Sequence, residues 1–107
     1  MTATNRITDL VMVTDRLSDV LERETAILRS RKPAELAAVQ QIKAVLTAAY
    51  ESHARALRSD PQVLTALTPE LRARLTASAQ RFDASLAANE QGLRAAKDTA
   101  GVPALAY

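Results

Sequence analysis

The sequence lacks cysteine and has few of the residues that turns and thick cores require. With no cysteine among 107 residues, disulfides and thiolate metal sites are excluded. Two glycines and four prolines are too few for the many turns of a sheet protein, which would also need more β-branched residues. Aromatic residues make up only 3% of the chain, so we expect long, thin helices packed through leucine and alanine.

Long apolar runs and blocks of like charge are also missing. No run reaches the ~18–20 apolar residues that span a bilayer, and the first ten residues, MTATNRITDL, have no apolar signal-peptide core. We therefore expect a cytoplasmic protein without membrane insertion. The net charge of +2 and the isoelectric point near 9.4 reflect a small excess of arginine, so we expect no nucleic-acid partner.

The residue patterns of catalysis and of metal binding do not occur either. The carboxylates are scattered, there is no glycine-rich phosphate loop, and no serine or threonine lies in a nucleophile elbow. The single histidine, His53, has no partner at a metal-ligand spacing. We therefore predict that the protein is not an enzyme and that it needs no cofactor and no metal.

His53 leaves one alternative open, a histidine phosphotransfer domain. Such domains carry an exposed histidine on a helical bundle, with a basic residue and a glycine soon after it. Here the residues after His53 are Ala-Arg-Ala-Leu-Arg, without glycine. His53 also continues the seven-residue row of Val39 and Leu46, so we interpret it as a residue at the edge of a core.

Heptad spacing of apolar residues dominates the rest of the chain. In the first segment, Leu10 and Leu17 form one row, and Val13, Val20 and Ile27 form another. Steps of three, four and seven predict a long helix with one packed stripe. Prolines and the motif Thr-Pro-Glu at 68–70 mark where later helices begin.

The sequence therefore predicts an all-α fold: a long antiparallel helical hairpin and a third long helix, in a coiled-coil-like three-helix bundle. We expect a single domain over residues 1–107, with helices at about 5–31, 33–59 and 69–99 and a flexible tail at 100–107. The short connection between the first two helices favours the antiparallel hairpin. Helices of this length in so small a chain also leave a homodimer open.

Two charged residues occupy apolar positions of the hairpin. Glu24 continues the row of Leu10 and Leu17, and Lys43 lies between Leu36 and Tyr50 in the corresponding row. With a turn near residue 33, these two positions face each other. We predict that Glu24 and Lys43 form a structural polar pair that sets the register of the hairpin. The alternative is that both side chains extend along the helices to the solvent.

The order of leucines and polar residues resembles that of the FlgN-type flagellar export chaperones. In that family a leucine-rich helix ends soon after a glutamate, a short turn follows, and the next helix carries lysine and then leucine. The third helix often has asparagine near its end, although a second asparagine common there is missing here and Gly92 lies nearby. The matching residues are Leu17, Leu21, Glu24, Leu28, Leu36, Lys43, Leu46, Leu86, Asn89 and Leu93.

The resemblance implies a cytosolic chaperone for flagellar type III secretion. Its clients would be flagellar hook-associated proteins of the hook–filament junction, which it would deliver to components of the export apparatus. In the family the C-terminal helical region binds the client, and amphipathic client helices suit helix-in-groove recognition. Transferred to this chain, the partner-binding residues are Leu86, Asn89, Leu93, Ala96, Val102, Leu105 and Tyr107.

A second class of function remains open from the sequence, a structural coiled-coil or adaptor subunit that forms a helical homo-oligomer. In that case the apolar rows of the third helix would complete a permanent core. In the chaperone, the same rows would be partly available to a client.

Overall fold

The protein is described in a computed structural model, which gives the backbone of residues 3–100 and the side-chain surroundings of residues 4–98. The helices are α1 (Ala3–Ser30), α2 (Leu36–Ser59), the single turn α3 (Gln62–Thr65) and α4 (Pro69–Ala100), with a 3-10 turn at Pro33–Glu35 before α2. No strand occurs within residues 3–100. The all-α class is therefore confirmed, while most of the predicted tail lies outside the described residues.

The first helix starts two residues earlier than predicted and ends one residue sooner. Its end is set by Arg31, which adopts a left-handed backbone with φ of 56°. The N–H of Lys32 then donates to the carbonyl oxygen of Ile27 at 3.4 Å. This arrangement is a Schellman motif, in which the reversed residue satisfies carbonyls that the helix end would leave unpaired.

The start of α4 follows the capping signal in the sequence. The N–H of Leu71 donates to Oγ1 of Thr68 at 3.2 Å, and Pro69 occupies the first helical position. A hydroxyl at the cap satisfies one of the unpaired N–H groups of the first turn. Glu70 in that turn also favours the helix start through the helix dipole.

The three long helices form an elongated bundle with principal extents of 49 × 20 × 18 Å. The order of the contacting pairs shows that α2 runs antiparallel to α1 and that α4 runs parallel to it. Helix α1 packs extensively against both α2 and α4. The backbones of α2 and α4 approach each other much less closely, although the rings of Tyr50 and Phe82 meet at 5.0 Å.

A cluster of large apolar side chains lies at one end of the bundle. The cluster there combines Ile7 and Val11 of α1 with Val63 of α3 and Leu71 of α4, and other leucines pack around it. Val63 is buried, which explains why the single turn α3 is folded against the bundle. The carboxylate of Asp60 pairs with the guanidinium of Arg6 at 3.1 Å across the same end.

Along the rest of the bundle, small polar residues are buried beside apolar ones such as Leu17, Leu21 and Val39. Thr14, Ser18 and Thr25 of α1 are buried, and each hydroxyl donates to the carbonyl oxygen four residues earlier. Because these hydroxyls are satisfied within their own helix, they can be buried without a partner from another helix. Helix α1 thus has two packed faces, whereas the sequence predicts a single stripe.

Candidate functional site

A polar node of three side chains lies inside the bundle, one from each long helix: Glu24 of α1, Lys43 of α2 and Asn89 of α4. The ammonium of Lys43 donates to Oε1 of Glu24 at 2.8 Å and to Oδ1 of Asn89 at 3.1 Å. The amide of Asn89 donates to the same Glu24 oxygen at 2.7 Å. The node therefore joins all three helices through one carboxylate oxygen.

Burial makes this node energetically demanding. Glu24 is 0% exposed and Asn89 is 1% exposed, while the side chain of Lys43 remains 23% exposed. Oε2 of Glu24 has no hydrogen-bond partner among the described residues. A buried carboxylate is tolerated only when its charge is compensated, so Lys43 and Asn89 are required to offset its desolvation.

The sequence predicts the contact between Glu24 and Lys43 but not its third member. Asn89 is predicted as a partner-binding residue, whereas the structure directs its amide into the bundle. A signal was present, because Asn89 interrupts the seven-residue row of Leu75 and Phe82 just as Glu24 and Lys43 interrupt theirs. A polar interruption on every helix, at matched depth, indicates a shared contact.

A second polar group, which we call the polar seam, connects the middle of α1 with the middle of α4. Its residues are Asp15, Asp19 and Glu22 of α1 and Ser78, Arg81 and Ser85 of α4. Ser78 donates to Asp15 and Ser85 donates to Glu22, both at 2.7 Å. Arg81 donates from Nε and Nη2 to the two oxygens of Glu22, at 3.1 and 2.9 Å, and Nη2 also reaches Asp19.

The polar seam shifts the pKa values of its central pair, Glu22 and Arg81, in favour of their charged forms. Hydrogen bonds from Arg81 and then from Ser85 lower the pKa of Glu22 below its ordinary value of 4.5. In return, the hydrogen bonds to Glu22 and Asp19 raise the pKa of Arg81. Both groups are therefore charged at neutral pH, and their bidentate geometry fixes the axial position of α4 on α1.

The predicted partner-binding residues are distributed unevenly. Leu86, Leu93 and Ala96 are half-buried on α4. Leu86 and Leu93 lie on the side of that helix that carries Phe82, whose ring meets Tyr50 of α2. The remaining three, Val102, Leu105 and Tyr107, lie outside the described residues. The structure therefore groups a short leucine row beside the polar node.

Gly92 lies where α4 meets the end of α1. A Cβ added to Gly92 would lie 3.7 Å from Cδ1 of Leu28 and 3.7 Å from Cγ2 of Thr25. These are ordinary van der Waals distances, so the packing does not require glycine at this position.

His53 is half-buried on α2. Within residues 4–98, no three histidine, cysteine, aspartate or glutamate side chains are grouped so as to hold a metal ion. Among the helices described here, none combines the length and the apolar character needed to cross a membrane.

Comparison with curated proteins finds a distant flagellar relative. The chain is 26% identical over 95 residues to the flagellar basal-body protein FlbY of Caulobacter vibrioides (strain ATCC 19089 / CIP 103742 / CB 15). The aligned region covers 89% of this chain and 64% of FlbY, so the chain spans less than two thirds of that relative. No family model matches the chain, and no solved structure shows significant similarity to it.

The similarity links the chain to a flagellar protein, and it does not support the FlgN-type family in particular. The resemblance to that family therefore rests on the residues that suggested it. Of these, Glu24, Lys43 and Asn89 form the polar node.

Proposed function

We propose that this chain is a cytoplasmic flagellar export chaperone that binds a helix of a hook-associated protein before type III secretion. The proposal rests on two kinds of support. One is the distant similarity to a flagellar protein. The other is the order of leucines, glutamate, lysine and asparagine that resembles the FlgN-type chaperones.

The observation that carries the proposal is the way the C-terminal half of α4 is held. Between Ser78 and residue 98, the buried residues of α4 are Ser78, Ser85 and Asn89, and no large apolar side chain of this range is fully buried. The ion pairs of Arg81 are partly exposed, and such pairs contribute only about 0–1 kcal/mol each, so the buried contact of Asn89 with Glu24 is the strongest polar attachment of this half. This half of α4 can therefore exchange its contacts for those of a client helix at lower cost than the apolar end.

The half-buried leucines of α4 provide the matching apolar surface. Leu86 and Leu93 are seven residues apart, so they lie on one face about two helical turns from each other. An amphipathic client helix with apolar residues at the same spacing can cover them. Such a client would be protected from assembly until components of the export apparatus release it.

Co-expression of the full chain with hook-associated proteins of the same genome tests this proposal. We expect a stoichiometric complex that Leu93→Glu weakens and that Ala95→Glu leaves intact, because Leu93 is half-buried on the leucine row and Ala95 is exposed. Thermal melts of both variants show whether the bundle is retained. If none of the hook-associated proteins forms a complex with the chain, the proposal is contradicted.

The similarity to a basal-body protein favours a second candidate, a structural helical subunit of the flagellum. In that case the chain should remain attached to purified basal bodies and should form a stable homo-oligomer. A chaperone should instead be found in the soluble fraction, in complex with its client.

A further inference from the structure

A second apolar surface lies on α2, away from the polar node. Ile42 is 47% exposed and Val45 is 70% exposed, although both are large apolar side chains. They belong to a stripe with steps of three and four residues that is otherwise made of small side chains. The stripe contains Ala38, Ile42, Val45, Ala49, Ser52 and Ala56.

This stripe lies on the flank of α2 that is turned away from α4. Lys43 and Tyr50, seven residues apart, form the line of α2 that meets α4. Successive residues of an α-helix are rotated by about 100°. Ile42 directly precedes Lys43, and Ala49 directly precedes Tyr50. The line of Ile42 and Ala49 is therefore rotated by about 100° from the line that meets α4.

Helix α1 contributes a matching flank. Asp15 and Glu22 contact α4 through Ser78 and Ser85. Val13 and Val20 lie two positions earlier, which rotates them by about 200° from that line. Both valines are only half-buried, although the heptad pattern predicts them in the packed stripe.

These two flanks form the back groove of the hairpin, defined here by Val13, Val20, Ile42, Val45 and Ala49. A helix from a partner placed in this groove would form a bundle of four long helices with α1, α2 and α4. The partner helix and α4 would then lie on opposite sides of the hairpin. The back groove is separate from the leucine row of α4, so it does not depend on the proposed function.

The charges around the back groove select its occupant. Arg16 and Arg23 follow the two valines of α1 by three residues, and Arg55 lies near one end of the α2 stripe; all three are exposed. None of the three forms an ion pair within the described part of the chain. The acidic residues near these arginines are Asp9 and Glu35 towards the ends of the groove, Asp19, which pairs with Arg81 of α4, and Glu51, one turn before Arg55.

A second copy of the chain is a poor occupant because it would bring the same arginines to the interface. Like charges placed opposite each other oppose association, whereas complementary charges assist it. We propose that the back groove binds an amphipathic helix of a different protein, one whose apolar stripe is flanked by acidic residues. The stripe covers Ile42 and Val45, and the acidic flank meets Arg16 and Arg23.

Two synthetic amphipathic helices test the proposal on the full chain, one with a leucine stripe and glutamate flanks and one with the same stripe and lysine flanks. We expect the glutamate peptide to bind at least ~10-fold more tightly. Binding should shift the methyl resonances of Val13, Val20 and Ile42.

A matched pair of variants separates charge from apolar contact. Val45→Glu and Val45→Lys remove the same side chain, and the position is exposed enough for both to fold. We expect Val45→Glu to weaken binding of the glutamate peptide by about tenfold or more relative to Val45→Lys. Thermal melts confirm that the two variants are equally folded.

Several outcomes would overturn the inference. These are equal binding of the two peptides, no binding of either, equal loss in the two variants, or shifts confined to Leu86 and Leu93. A dimer that Val45→Glu dissociates would assign the groove to a second copy instead. Since the assay contains no hook-associated protein, its failure leaves the proposed chaperone function standing.

Discussion

The carboxylate of Glu24 carries a large desolvation cost, because its full charge is removed from water at the centre of a thin bundle. Its charge is offset by Lys43, and the amide of Asn89 supplies a further donor to the same oxygen. Such a node adds little net stability compared with apolar packing, but it opposes any axial shift of the helices. We therefore expect the node to set the register of the three helices.

Removal of one charge from the node should cost far more than removal of both. We expect Lys43→Met to lower the free energy of unfolding by about 3 kcal/mol, because Glu24 would stay buried without a cation. The double variant Glu24→Leu with Lys43→Met should recover much of this loss. Urea unfolding measures both values, and the exposed Lys97→Met provides a control expected to change by less than about 0.5 kcal/mol. Equal losses in the single and double variants would argue against the coupling.

Gly92 is the second position where a single residue has a predictable effect. Since an added Cβ meets Leu28 and Thr25 at ordinary distances, Gly92→Ala should keep the packing of α4 on α1. Alanine favours the helix over glycine by about 1 kcal/mol, so we expect the variant to be more stable by up to that amount. Thermal unfolding provides the measurement. A lower melting temperature would show that the α1–α4 contact is tighter than 3.7 Å allows.

Helix α4 differs from the other elements in how it is attached. Its first turns pack into the apolar cluster through Leu71 and Leu75, whereas its middle is attached through the polar seam. Hydrogen bonds and ion pairs of this kind depend on protonation in a way that apolar contacts do not. Acid should therefore loosen the middle of α4 first.

The lowered pKa of Glu22 sets the direction in which stability changes with pH. Because the folded pKa lies below the unfolded value, the folded state binds fewer protons than the unfolded state as the pH falls towards 4.5. The contribution of Glu22 is complete above the unfolded pKa and is lost as the pH falls through the folded pKa. We expect Arg81→Gln to reduce this loss in urea unfolding between neutral and acidic pH. The exposed Arg74→Gln should keep the parent pH dependence, and an unchanged slope in Arg81→Gln would contradict the assignment.

In the whole molecule, the apolar cluster and the polar node lie towards opposite ends of the bundle. The cluster of Ile7, Val11, Val63 and Leu71 lies where α1 begins, α2 ends and α4 begins. At the opposite end, the hairpin turn and the later part of α4 have no comparable cluster among the described residues. Such asymmetry suits a chaperone, because the bundle can open at one end without losing its core.

Hydrogen exchange should reveal the same asymmetry. We expect amides around Val11 and Leu75 to exchange slowest, and those of α4 after Asn89 to exchange faster by about tenfold or more, because local opening there breaks few apolar contacts. Mass spectrometry of proteolytic fragments measures this difference. Uniform protection along α4 would contradict both the asymmetry and the opening that the proposed function requires.

The sequence determined the helical class, the hairpin and the positions where charge enters the interior. Heptad spacing and proline placement act locally along the chain, so they specify helices without knowledge of their partners. Glu24 and Lys43 could be matched because a short turn fixes which residues of two antiparallel helices face each other.

The tertiary structure decided which faces of the helices meet. No local rule places α4 against the side of α1 that carries Asp15 and Glu22, so the sequence could not predict the polar seam. The interrupted row of Asn89 was a signal of a polar contact, but it did not say which helix Asn89 would meet. The same choice left Val13 and Val20 half-buried and Ile42 exposed on the side of the hairpin away from α4. A heptad row specifies an apolar face, but only the packing of three helices around α1 determines whether that face is buried or remains free for a partner.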